Sequence, residues 1–189
     1  MSAEVEGLSP KEVKKTRAFA GGIRKNLVKM LDYIGINKFL GIDCCITLWG
    51  EDYEQNADFT SILKNCVMDT RNQRNPFISS IPLPMEKYPE IEEEFKKGFA
   101  SDCREYSNAE IWVALGPDVE TILKSLQDSG IISTESIILS IPHPSGANAG
   151  RVAAFLGQND REGKAENRAR EQAVICKDQM KRLLCRKAL

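Results

Sequence analysis

Residues 136–157 read SIILSIPHPSGANAGRVAAFLG, and their reading decides the fold. The apolar run Ile137–Ile141 breaks at Pro142-His143-Pro144-Ser145-Gly146, and a helical pattern restarts from about Asn148. A short apolar run bounded by Pro and Gly predicts a buried strand. In open α/β sheets, ligands bind at loops that follow the carboxyl ends of parallel strands. This loop holds the only histidine of the chain, His143, between two prolines that stiffen the backbone on either side. Ser145 adds a hydroxyl, Gly146 permits close backbone approach, Asn148 adds an amide, and Arg151 lies one helical turn further on. Two readings stand at this point. The stretch is either ordinary α/β punctuation with a structural histidine, or a binding loop, since function gathers on such loops.

Working outward, Glu110–Gly116 (EIWVALG) predicts a second buried strand. Pro117-Asp118 then open a helix with Val119, Ile122, Leu123 and Leu126 inward, and Asp118 suits the positive end of its macrodipole. Tyr88–Ser107 predicts a helix, with Ile91, Phe95, Phe99 and Cys103 spaced four apart on one face. Near the N-terminus Gly21-Gly22 precede a helix with Ile23, Leu27, Met30, Leu31 and Ile34 at helical spacing, stopped by Gly35. Residues 39–50 form an apolar run, either strand or buried loop, and 59–67 a further strand end. Lys164–Leu189 predicts a final helix with a partial stripe of Ala169, Val174, Met180, Leu183 and Leu184. The alternation of strands and helices predicts an α/β fold with a mostly parallel sheet covered on both faces.

The 189 residues are most simply a single domain, 1–189, with a polar, poorly defined segment over 1–16. No apolar run is long enough to span a bilayer, and the first residues lack the apolar core of a signal peptide, so a cytoplasmic protein without membrane attachment is expected. The net charge of −1 conceals an asymmetry. Residues 161–189 carry nine Lys/Arg against four Asp/Glu, a net +5 that leaves −6 on the remainder. Such a basic helix either meets nucleic acid or presents a solvated face. Arg71-Asn72-Gln73-Arg74-Asn75-Pro76 likewise suits either phosphate contacts or a surface turn. The six cysteines form no C-x-x-C pair, and buried free thiols are the expectation for most of them. No G-x-S-x-G elbow, P-loop or dinucleotide glycine pattern is present.

His143-Pro144-Ser145, with Gly146 and Asn148 after an apolar strand, resembles the H-P-S loop of the uracil-DNA glycosylase superfamily. Phe19, Gly21 and the following helix resemble that superfamily's F-x-G entry into its first long helix, and VALG before the helix at Pro117 resembles its penultimate strand–helix unit. The resemblance covers about residues 16–160. It implies a three-layer α/β/α fold with a mostly parallel central sheet, uracil-containing or otherwise damaged DNA as partner, and hydrolysis of an N-glycosidic bond.

It also implies roles. The target base leaves the stack because its reacting atoms are unreachable in a duplex. His143 then contacts the base carbonyl, where negative charge gathers as the base departs. Ser145, Gly146 and Asn148 bind base edge or phosphate, and Arg151 holds backbone phosphate. Thr60, Ser61, Lys64 and Cys66 match the superfamily's second strand end, with Ser61 where several branches place a uracil-reading asparagine. The water-positioning motif corresponds to Gly7-Leu8-Ser9-Pro10-Lys11-Glu12, in which Glu12 is the nearest carboxylate. Either the chain starts late relative to that motif or the motif has changed. Some branches carry an iron–sulfur cluster, and Cys66 and Cys103 match two of its ligands. No cysteine precedes the first helix, so no cluster, zinc or other cofactor is expected. Two rival functions remain: a non-catalytic nucleobase- or DNA-binding relative of the same fold, and an unrelated α/β small-molecule-binding domain with its pocket at the His143 loop.

Overall fold

The computed structural model of the protein describes residues 21–42, 57–58, 60–62 and 85–187. Of the run 39–50, read as strand or buried loop, Phe39 and Leu40 lie in a helix and 43–50 lie outside the described residues, as do most of the strand end 59–67, the polar loop 71–76, and Glu12, Lys64 and Cys66. The chain forms two compact units, one from residues 1–59 and 140–189, the other from residues 60–139.

In the second unit a short 3-10 turn, Met85–Lys87, leads into α3 (Pro89–Lys97) and α4 (Phe99–Glu105). Strand β1 (Ile111–Leu115), helix α5 (Pro117–Asp128) and strand β2 (Ile137–Ile141) follow, β2 continuing into the first unit. Among the described residues β1 and β2 form a two-stranded parallel sheet, bridged by α5 as crossover. A β–α–β unit forms here because two apolar runs flank a twelve-residue amphipathic segment with Pro117 at its first turn. Ile122, Leu123 and Leu126 enter the core with Ala114, Phe99, Cys103 and Ile132, and Val119 packs against it. Gln127 Nε2 donates to the carbonyls of Ser133 and Ser136 (2.9 Å each), and Ser136 Oγ donates to the Ala109 carbonyl (2.6 Å), which satisfies the turn into β2.

The helix expected over 88–107 is two helices. Gly98 (φ −94°, ψ −92°) leaves helical geometry between α3 and α4. The apolar face survives the break: Phe99 and Cys103 are buried, and the Phe95 and Phe99 rings sit 5.9 Å apart.

In the first unit α1 (Gly21–Ile34) ends at Gly35, whose φ of 93° only glycine adopts cheaply. A short helix α2 (Ile36–Leu40) follows. After β2, a 3-10 turn at Gly146–Asn148 runs into α6 (Ala149–Phe155), and α7 (Lys164–Lys187) packs along α6 and against α1 and α2. Leu27, Val28, Met30, Leu31 and Ile34 of α1 and Val152, Ala154 and Phe155 of α6 are buried, and the two helices are in contact. The α7 stripe differs from its expected phase. Ala169, Ala173, Cys176, Met180 and Leu183 are buried, spaced four-three-four-three, Leu184 is half-buried, and Val174 is 67% exposed. Val174 lies about 100° from the Ala173 direction, so the small Ala173 and the thiol of Cys176 take the core positions instead.

Several of the basic groups of 161–189 have partners within the chain. Arg170 donates to the carbonyls of Asn159 (2.7 Å) and Arg161 (2.8 Å), and Arg182 pairs with Asp178. The Lys177 ammonium lies over the Tyr33 ring at 3.2 Å, and that of Lys187 over Phe39 at 3.7 Å.

Candidate functional site

The loop at the end of β2 is built from the core outward. Ile141 and Pro142 are buried, as is the Pro144 ring, while His143 between the prolines is exposed. Alternating burial of this kind follows from two prolines that hold an extended backbone and send neighbouring side chains to opposite sides. Helix α7 secures the base of the loop, where Gln172 Nε2 donates to Ser140 Oγ (3.1 Å) and Cys176 Sγ to the Ser140 carbonyl (3.4 Å).

Above this base the polar groups form a chain. The Ser145 backbone N–H donates to His143 Nδ1 at 3.3 Å. Asn148 Nδ2 donates to Ser145 Oγ (3.1 Å), and Arg151 donates to Asn148 Oδ1 (3.3 Å). The Asn148 backbone N–H closes the turn on the Ser145 carbonyl (2.9 Å). From α1, Asn26 Nδ2 donates to the Pro144 carbonyl at 3.0 Å.

Two electrostatic consequences follow. An Nδ1 that accepts an N–H carries no proton, so the neutral ring holds its hydrogen on Nε2. Partial desolvation by the surrounding loop pushes the His143 pKa below its ordinary value. Both favour a neutral imidazole that offers a donor from its exposed face. The Ser145 hydroxyl accepts from Asn148 and is left with its own O–H to donate. Nε2–H and Oγ–H are thus the donors that these two bonds leave unspent.

The structure brings together His143, Ser145, Asn148 and Arg151. Asn148 spends one contact in holding Ser145 and Arg151 one in holding Asn148, which adds a positioning duty to the binding duties expected of them. Gly146 is exposed, and a Cβ there would meet no atom within 4 Å. Its lack of a side chain is therefore not required by the described protein around it. Ser61 is exposed and belongs to the second unit. Cys103 is a buried thiol outside any disulfide, and among the described residues no group of acidic, histidine or cysteine side chains is arranged to hold a metal ion. No described helix is long and apolar enough to cross a membrane. Sequence reading missed Asn26. Its amide lies on the helix face next to Leu27, where a polar residue on an amphipathic helix gives no sign of a distant partner.

Comparison with known proteins gives one relative to set beside this geometry. The chain is 26% identical over 145 residues to the Bacillus subtilis (strain 168) protein named "Uncharacterized protein YoxB". The match covers 76% of this chain and 54% of the relative, so the chain spans about half the length of the curated protein it matches. No family model matches the chain, and no solved structure matches it.

Proposed function

We propose that the protein is a DNA glycosylase of the uracil-DNA glycosylase type, with a three-layer α/β/α fold, that excises uracil or a related damaged base. The observation that carries this reading is the Ser145 N–H on His143 Nδ1, which leaves Nε2–H as an outward donor. Hydrolysis of the N-glycosidic bond sends the bonding electron pair into the departing base, and charge gathers on the carbonyl oxygen beside the reacting nitrogen. A preorganised neutral donor aimed at that oxygen stabilises the transition state more than the ground state. The sugar carbon takes the oxygen of a water, whose proton passes to a carboxylate. Glu12 is the carboxylate that the sequence offers for this step. Ser145 O–H and the Arg151 guanidinium supply phosphate contacts that hold the flipped nucleotide.

The test is cleavage of a uracil-containing oligonucleotide, developed with alkali, by wild type and His143→Ala. Loss of one preorganised donor lowers the excision rate by about 100-fold. Absence of breaks with the wild type, together with retained binding to the uracil-containing strand, rejects the enzyme in favour of a non-catalytic relative. Absence of both breaks and binding rejects the DNA reading altogether.

A further inference from the structure

The tie from α1 to the loop meets one particular peptide. The Pro144 carbonyl that accepts from Asn26 and the Ser145 N–H that donates to His143 belong to the same peptide unit. A peptide is planar, and its C=O and N–H point in opposite directions. Fixing the carbonyl therefore aims the N–H. The Pro144 ring fixes the φ angle just before this unit, and its burial leaves the backbone there little room to rock. What remains is rotation of the plane itself, and Asn26 opposes it from a helix whose neighbouring residues, Leu27 and Val28, are buried in the core of the first unit.

We infer that Asn26 is a positioning residue of the His143 loop: through the Pro144–Ser145 peptide, it selects the imidazole tautomer that carries hydrogen on Nε2. This deepens the proposed function, because the selected tautomer is the one able to donate to a base carbonyl. It requires no contact between Asn26 and DNA. The partners are 118 residues apart in sequence, so the first helix and the loop that follows β2 form one functional element.

The chain has a single histidine, so its imidazole gives one pair of nitrogen resonances without any assignment step. Long-range proton–nitrogen correlation on protein labelled with 15N-histidine, at about pH 8 where the ring is neutral, reads the tautomer directly. In the wild type the Nε2–H form dominates. In Asn26→Leu the ratio of Nε2–H to Nδ1–H falls roughly fivefold, the worth of one ordinary hydrogen bond, while thermal melting remains cooperative. Should Asn26→Leu fail to fold, Asn26→Asp carries the same expectation, since it keeps the shape and puts an acceptor where the donor stood. A folded variant of either kind with an unchanged ratio overturns the inference. A fallen ratio in a protein whose wild type releases no uracil upholds Asn26 as the tautomer-setting residue and rejects the glycosylase reading alone.

Discussion

Both strands of the small sheet are followed by a helix, and the two junctions are built differently. After β1 the chain turns at one residue, Gly116 (φ 106°, ψ 163°), and enters α5 with Pro117 at its first position. After β2 it takes a longer path, Pro142 to Asn148, through an exposed histidine, a half-buried serine and a 3-10 turn before α6 begins. The first junction has one demand, a backbone conformation that only glycine adopts freely. The second contains no positive-φ glycine and is held by Asn26 of α1, by Asn148 of its own 3-10 turn and through it by Arg151 of α6, with its base secured by α7. A junction that serves only the fold is short and uses backbone conformation. The second junction spends polar groups on orienting an exposed imidazole, which is the feature the proposed function rests on.

The contrast can be tested from its strongest consequence downward. On the proposed function, His143→Ala lowers uracil excision by about 100-fold, or about 2.7 kcal/mol of transition-state stabilisation, and leaves the melting temperature nearly unchanged because the ring is exposed. A melting loss as large as that of a core truncation would break the comparison by making the histidine structural. Gly116→Ala does the reverse. Forcing a side chain into φ 106°, ψ 163° costs about 1–3 kcal/mol, read as a lower midpoint in urea unfolding with an unchanged slope.

Acidification sharpens the same difference. The native His143 pKa lies below 6.5, so between that value and 6.5 the unfolded chain binds more protons than the folded one. Stability contributed by this group therefore rises with pH through that window and falls as the solution is acidified. The single imidazole resonance titrates with a midpoint below 6.5 in the folded protein. An equal or higher midpoint would remove desolvation from the account of the site.

Gly146→Ala gives the smallest effect on the fold. Open space around the added methyl and an ordinary φ predict a change within about 0.5 kcal/mol. Binding of uracil-containing DNA, measured by fluorescence anisotropy, weakens if the glycine is there for close approach of the nucleotide. Unchanged affinity would return Gly146 to ordinary loop chemistry.

Legibility in the sequence follows the range of the interactions. β1, α5 and β2 are readable because apolar runs of five residues and a periodic helix with Pro at its start are local signals. The stop of α1 at Gly35 is readable for the same reason. The break at Gly98 is not, since Ile91, Phe95, Phe99 and Cys103 keep four-residue spacing straight through it. The phase of α7 is not readable either. By composition Val174 outranks Ala173, yet α7 packs along α6, α1 and α2 with Ala173 and Cys176 inward. Small side chains let helices approach closely, and composition alone does not register that gain.

For the site, the sequence by itself determined the loop, its lone histidine, the stiffening prolines, and the nearby Ser145, Asn148 and Arg151. All lie within ten residues, where spacing along the chain sets proximity. Only the tertiary structure decided which nitrogen of His143 faces outward, and that Asn26 stands behind the loop. Both depend on hydrogen-bond directions: one is set by a peptide plane within the loop, the other by a helix 118 residues away in sequence. Residue identity supplies the donors and acceptors, but their directions are fixed only when the packed core holds the backbone that bears them.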